Sequence, residues 1–222
     1  MNFYKDQLFH IYNQGNNRQQ IFFSDENYRY FLWKMQAYLL PFGDLVSWCL
    51  MTTHFHWQFY VREVWIPRHV LRANVDEIEF LRRKDKYGLN ARKVNRDWSR
   101  TAHDNDLVSL NQSIGDLQRS YTRALNKERN TSGSLFRNEC KAQDGWIDDF
   151  VTLKKKGIED RRFVLGSDYA YRCLCYIHGN PKKAKLVSKS VDYKWSSAKD
   201  YYADASNSIC NLELGRKIIQ FV

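Results

Sequence analysis

The chain has 222 residues, a formal net charge of +10 and a pI of about 9.3. Its hydrophobic share of 43% and aromatic share of 15% are typical of a folded globular protein and exclude a fibrous or largely disordered one. A chain of this length fits one domain with a sizeable core. The excess of basic residues indicates a polyanionic partner, and it favours nucleic acid over a membrane surface.

Cysteine usage and hydropathy narrow the class of protein further. The five cysteines are odd in number and include no Cys-x-x-Cys pair, so neither a zinc knuckle nor a disulfide framework is indicated. The first residues lack the apolar core of a signal peptide, and no apolar run approaches the length that crosses a membrane. We therefore expect a cytoplasmic location, reduced thiols and no membrane partner.

A first strand is predicted over residues 8–14, where apolar and polar residues alternate. Its apolar side chains face one side, while His10 and Tyr12 face the other. The strand ends at a Gly-Asn-Asn loop, which is followed by Arg18. This pattern predicts one buried face and one open face that carries histidine and tyrosine.

A helix and a β-hairpin are predicted next. Ser24 or Asp25 caps a helix that reaches about residue 40, with apolar residues at helical spacing. Residues 45–51 form an apolar strand, and the turn Thr52-Thr53 is short enough to join it to a third strand in an antiparallel hairpin.

The third strand, residues 54–61, carries two histidines on one face. Because strand side chains alternate, His54, His56 and Gln58 share a face, and the aromatic residues between them can be buried. The two imidazoles lie about 7 Å apart along the strand, which is close enough to hold one metal ion or one phosphate. Two histidines on a half-polar strand face also occur without any function, so partners elsewhere in the chain decide the interpretation.

The middle of the chain is charged. Residues 62 to about 106 are predicted to form a partly helical insertion, which is either a solvated surface segment or a DNA contact. Residues 109–129 then form a helix with an apolar stripe, and Arg119 and Arg123 lie on its basic side. Residues 135–142 are predicted as a further strand.

A last helix is predicted from about Ser167 to Pro181, because proline ends a helix. Tyr176 and Asn180 lie one turn apart at the edge of its buried face and can point together into a site on the sheet. With fourteen tyrosines in the chain, however, packing alone explains a tyrosine on a helix.

Candidate DNA-contacting residues are mainly cationic and are spread along these elements. Further basic clusters occur at residues 154–156 and 161–162. The predicted DNA-contacting set is His10, Arg18, Arg119, Arg123, Arg137, Lys182, Lys183 and Lys185.

Taken in order, these motifs resemble the single-tyrosine HUH transposases of bacterial insertion sequences, and among them the REP-associated tyrosine transposases. Where the family has proline-asparagine, valine and glycine, this chain has Thr52-Thr53, Lys182 and Lys185, and none of these differences removes a catalytic group. The stretches that carry the resemblance are His10–Arg18, Met51–His56, Gly133–Arg137, Tyr176–Pro181 and Trp195–Ser197.

The resemblance implies a fold and a chemistry. The fold is α+β, a ferredoxin-like or RRM-like antiparallel sheet with helices packed on one face, in a single domain over residues 1–222. Tyr176 would attack a phosphodiester of single-stranded, hairpin-associated DNA, which gives a 5′-phosphotyrosyl intermediate and a free 3′-hydroxyl. His54, His56 and Asn180 would hold a divalent metal, Mg²⁺ or Mn²⁺.

Two questions stay open in the sequence. A non-catalytic nucleic-acid-binding protein on the same fold would use the aromatic and basic face to stack bases, and a Tyr176 far from the histidine pair would favour it. In some relatives the tyrosine acts across a dimer, so both a monomer and a homodimer fit the sequence. Phosphoesterases with two His-x-Ser/Thr motifs are disfavoured, because no such motif occurs.

Overall fold

The computed structural model describes residues 1–94, 96–98, 106–144, 168–203 and 205–219. Within these residues, no helix is long and apolar enough to cross a membrane. The strands are β1 (Gln7–Gln14), β2 (Gly43–Met51), β3 (His54–Val61), β4 (Trp65–Pro67), β5 (Leu107–Ser109) and β6 (Lys141–Asp144). The helices are α1 (Asp25–Tyr38), α2 (Arg68–Tyr87), α3 (Leu110–Arg129), α4 (Asp168–Lys183), α5 (Ala198–Ala203) and α6 (Leu212–Ile219).

The central element is a four-stranded antiparallel sheet in the order β2-β3-β1-β6. The predicted hairpin of β2 and β3 is confirmed, and neither Thr52 nor Thr53 of its turn has a positive φ. The predicted strand over residues 135–142 is mostly wrong. Phe136 makes only an isolated bridge to Gly15, and regular pairing with β1 begins at Lys141.

One face of the sheet holds the main core. Aromatic and aliphatic side chains of β1 and β3 pack there against α1 and α3, and Trp57, Phe31 and Tyr121 are almost completely buried. The N-terminal starts of α1 and α3 follow from local sequence. Ser24 accepts a hydrogen bond from the Asn27 amide at the start of α1, and a Ser-x-x-Gln capping box begins α3. Both predicted helices are confirmed.

The charged segment after β3 contains a long helix that packs on the core. Helix α2 lies against α1, where the Asn74 side-chain amide donates to the Ala37 carbonyl at 2.8 Å. Strands β4 and β5 pair with each other at the two ends of this segment. The helical part of the predicted insertion is therefore a third layer outside α1.

The second face of the sheet is covered over part of its length. Helix α4 lies on β2 and β3, where Leu8 and Val46 of the sheet pack against Ala170 and Leu174. Gln58 is completely buried there and donates to the Ala170 carbonyl at 2.9 Å. The predicted α+β antiparallel fold is confirmed, but helices pack on both faces. The face that Gln58 shares with His54 and His56 is therefore not open to DNA along its whole length, because α4 covers Gln58.

Helix α4 was predicted to end at Pro181, but it continues to Lys183. Because proline has no backbone N–H, the helix lacks one hydrogen bond at residue 181, and only two further residues stay helical. The chain then leaves the helix through a Schellman motif, in which Leu186 donates to the Pro181 carbonyl and Lys185 to the Lys182 carbonyl. Lys185 has a φ of +58°, so a lysine occupies the left-handed position that favours glycine.

A segment near the C-terminus covers the outer edge of β2. Leu50 donates a backbone hydrogen bond to Trp195, and Ser197 donates one to Trp48. His178 of α4 joins this segment, because its Nε2 lies 2.8 Å from the Ser197 hydroxyl. Burial lowers the pKa of His178 to about 4. The segment therefore protects a sheet edge and ties α4 to it.

We predict that Lys185→Gly raises the free energy of unfolding by about 0.5 kcal/mol, because relief of the left-handed strain exceeds the extra flexibility of the unfolded glycine chain. Urea denaturation measures this change. Lys183→Gly is the matched control, because the same substitution at the last helical residue should lower stability, by up to about 1 kcal/mol. Equal destabilisation by both substitutions would contradict the left-handed assignment.

We predict that acid destabilises the protein partly through His178. The folded pKa lies below the unfolded value of 6.5, so this contribution is complete above that value and is lost as the pH falls towards about 4. Between about pH 7.5 and about pH 4.5, His178→Gln should lose about 2 to 3 kcal/mol less stability than the wild type. Urea midpoints at the two pH values test this, and equal losses in both proteins would refute it.

Candidate functional site

His56 lies at the centre of the candidate site. The pairing of β1 with β3 places His10 and His56 on neighbouring strands and on the same face. Their rings stack with centroids 5.1 Å apart and an interplanar angle of 27°. The ring of His54 stands edge-on to His56 at 5.0 Å. The structure thus brings together three imidazoles, of which His54 and His56 were predicted as metal ligands and His10 as a DNA contact.

Tyr176 lies over the histidines within the same chain. Its ring centroid is 5.4 Å from that of His56 and 5.8 Å from that of His10, and both contacts are edge-to-face. Helix α4 produces this placement, because it buries Leu174 and Ile177 against the sheet and leaves Tyr176 42% exposed beside them. The separated tyrosine that would favour binding without cleavage is therefore not found.

Asn180 follows Tyr176 by one helical turn. Its side-chain nitrogen donates to the Tyr176 backbone carbonyl at 2.9 Å, and its amide oxygen is the atom that can act as a metal ligand. Burial raises the pKa of the Tyr176 phenol, as does nearby Cys173, while a hydrogen bond with the Asn180 side chain lowers it. The phenol is therefore protonated at neutral pH and must lose its proton to act as a nucleophile.

The two histidines of the motif are held neutral. Burial lowers the pKa of His54, and it lowers that of His56 well below the ordinary value, with repulsion from His10 and His54 adding to the effect on His56. Neutral imidazole is the form that binds metal ions. These electrostatics suit a metal site and disfavour direct binding of phosphate by imidazolium.

The chemistry of these side chains fits a divalent metal. The Nε2 atom of His56 is buried and has no hydrogen-bond partner, so a potential ligand atom is left unsatisfied. Among the described residues, no three His, Cys, Asp or Glu side chains are placed to hold a metal ion. A metal bound by His54 and His56 would therefore need a different third ligand, and the amide of Asn180 is of the right chemical type.

Three of the predicted DNA-contacting residues come together in one cleft. Arg119, Arg123 and Arg137 line a cleft of about 1030 Å³ between α3 and the segment that leads into β6. Tyr12 also lines this cleft, and its ring centroid lies 5.7 Å from that of His56. We call this surface the arginine cleft. It joins the histidine site through Tyr12, which was not predicted as a site residue. Its position on the open face of β1, beside His10, was the feature of the sequence that could have indicated this role.

The remaining predicted contacts lie elsewhere. Arg18 is exposed in the loop after β1, and Lys182, Lys183 and Lys185 are exposed at the end of α4. His10 is only 6% exposed, so it offers little surface to DNA. The basic clusters at residues 154–156 and 161–162 lie outside the described residues.

Comparisons with known proteins support the fold. No family model and no curated protein matches the chain. The structure is similar to that of a REP-associated tyrosine transposase bound to a REP hairpin, with a TM-score of 0.50 over 95% of this chain and 87% of that chain. The sequence identity is 13%. The likeness is therefore one of fold, and it confirms the architecture that the motifs implied.

Proposed function

We propose that this chain is a metal-dependent transposase or endonuclease that cleaves and rejoins single-stranded, hairpin-associated DNA. The observation that carries the proposal is the position of Tyr176 directly over His10 and His56, which come from two other elements of the fold. The likeness to the structure of a transposase bound to a hairpin supports the choice of substrate.

Cleavage is a transfer of the phosphoryl group to Tyr176. The phenol oxygen attacks phosphorus, a new O–P bond forms, and the P–O3′ bond breaks. The phenol loses one proton and the 3′ oxygen takes one, so the step neither releases nor consumes a proton overall. The product is a 5′-phosphotyrosyl linkage and a free 3′-hydroxyl. This linkage conserves bond energy, so a 3′-hydroxyl can reverse the step and rejoin the strand.

The side chains at the site have separate tasks. His54, His56 and Asn180 would hold the metal, which when bound polarises the phosphate and stabilises negative charge. Imidazole ligands suit Mn²⁺ better than Mg²⁺. Tyr176 is anchored through α4 but partly exposed, so a phosphate can approach its hydroxyl.

The arginine cleft provides a path for the DNA backbone. Arg119, Arg123 and Arg137 are exposed along it, and Tyr12 connects it to His56. Guanidinium groups bind phosphates through paired hydrogen bonds and charge. A strand bound along this cleft would bring a neighbouring phosphate to Tyr176.

We predict that Tyr176→Phe abolishes the covalent protein–DNA adduct, with a loss of at least about 1000-fold, because phenylalanine has no nucleophilic oxygen. The assay is incubation with Mn²⁺ and a labelled hairpin with single-stranded flanks, followed by a denaturing gel. Tyr171→Phe is the matched control, since it removes an exposed hydroxyl from the same helix and should keep the adduct. A wild type that binds the hairpin without forming an adduct would establish the non-catalytic alternative.

We predict that the arginine cleft contributes sequence-independent affinity. Arg123→Gln and Arg137→Gln should each weaken binding to different hairpins by similar factors and reduce the slope of log K against log salt by about 0.7 to 0.9. Fluorescence anisotropy at several salt concentrations measures both effects. Arg29→Gln changes the net charge equally outside the cleft, where Arg29 pairs with Glu26, and should leave the slope unchanged. The same slope in all three variants would exclude this role for the cleft.

A further inference from the structure

His10 makes a contact with His56 that a role in DNA binding does not explain. The Nε2 atom of His10 lies 2.9 Å from the Nδ1 atom of His56. Both side chains are buried, at 6% and 5% exposure. The contact is therefore a hydrogen bond between two imidazoles inside the protein, beneath the ring of Tyr176.

The surroundings of His56 decide which ring donates. If His10 donated, the proton of neutral His56 would sit on Nε2, which is buried without any hydrogen-bond partner. An N–H group buried without an acceptor is costly and rare in proteins. If His56 donates from Nδ1 instead, its Nε2 carries a lone pair, which is what a metal ion requires. The second arrangement is the favourable one.

The other histidine of the motif shows the same arrangement. The Nδ1 atom of His54 lies 3.0 Å from the Thr53 hydroxyl. In both His54 and His56, a neighbouring side chain thus engages Nδ1. When the Thr53 hydroxyl accepts the Nδ1–H of His54, Nε2 is the coordinating atom of each ring. Metal-binding histidines commonly have their second ring nitrogen fixed in this way.

We propose that His10 is a positioning residue for the metal site, which accepts the Nδ1–H of His56 and fixes the tautomer that presents the Nε2 lone pair. This inference rests on the metal-dependent function proposed above. Strand pairing holds His10 opposite Gln58, and its ring packs against Tyr12 with centroids 5.0 Å apart. Its Nε2 faces the Nδ1 atom of His56, so the geometry assigns it a supporting place and not a place among the ligands.

The first test observes the tautomer in metal-free protein labelled with ¹⁵N in its histidines. Long-range ¹H–¹⁵N correlation spectra should show His56 protonated at Nδ1 in the wild type. In His10→Phe, the population with the proton on Nε2 should become the major one. A wild type with the His56 proton on Nε2 would overturn the proposal.

The second test measures Mn²⁺ affinity by calorimetry. His10→Phe should bind Mn²⁺ about 10- to 100-fold more weakly than the wild type. His10→Gln should recover most of the affinity, because its amide oxygen can accept the same N–H. His69→Phe is the control for loss of a histidine outside the site and should bind like the wild type. Circular dichroism establishes that each variant is folded.

Three results of this titration would overturn the proposal. They are a wild type that binds no Mn²⁺, a His10→Phe variant with wild-type affinity, and a folded His10→Gln variant as weak as His10→Phe. The last result would make His10 itself a ligand. The tautomer is read without DNA and without metal, so its outcome is separate from that of the adduct assay. An Nε2-protonated His56 in a protein that still forms the Tyr176 adduct would refute the role of His10 alone.

Discussion

The antiparallel pairing of β1 with β3 is the interaction on which the rest of the site depends. It runs from Gln7 opposite Val61 to Gln14 opposite His54 without a break. Alternation along the two strands sends most of their apolar residues into the main core and their histidines to the other face. A slip of one residue would exchange the faces, burying His56 in the core and exposing Trp57. The same apolar contacts that fold the protein therefore also position the imidazoles.

Helix α4 adds the second half of the site. Its apolar stripe packs on the sheet, and this packing fixes the rotation of the helix and therefore the direction of Tyr176. The helix is also tied to the edge of β2 through His178 and Ser197. Tyr176 therefore lies on a packed helix, which would hold the proposed nucleophile in one geometry towards a phosphate. Because α4 lies on this face of the sheet, Gln58 and Ser47 are buried.

Local patterns in the sequence account for several elements of the fold. Alternation predicted β1 and β3, a cap at Ser24 or Asp25 predicted the start of α1, an apolar stripe predicted α3, and the short Thr52-Thr53 turn predicted the hairpin. The errors come from long-range packing. Apolar Leu8 and Val46 on a polar face were the available sign that a helix covers it, but that sign has no meaning until the partner helix is known.

Only part of the candidate site could be predicted from the sequence, for a similar reason. His54 and His56 belong to one strand, and Tyr176 and Asn180 belong to one helix, so each pair follows from spacing alone. The contact of His10 with His56 depends on which strands are neighbours and in what register, which no local pattern specifies. The arginine cleft likewise depends on the packing of α3 beside the segment that leads into β6. The metal ligands and the nucleophile stay predictions until they are measured.

The most direct test of the central claim is to locate the covalent bond in the adduct by mass spectrometry after digestion with nuclease and trypsin. Two tyrosines, Tyr12 and Tyr176, lie beside His56, so the measurement distinguishes real alternatives. The tryptic peptide 173–182 contains Tyr176 as its single tyrosine. The account predicts a 5′-linked nucleotide on that peptide. A nucleotide on the peptide that contains Tyr12, or no linked peptide at all, would contradict it.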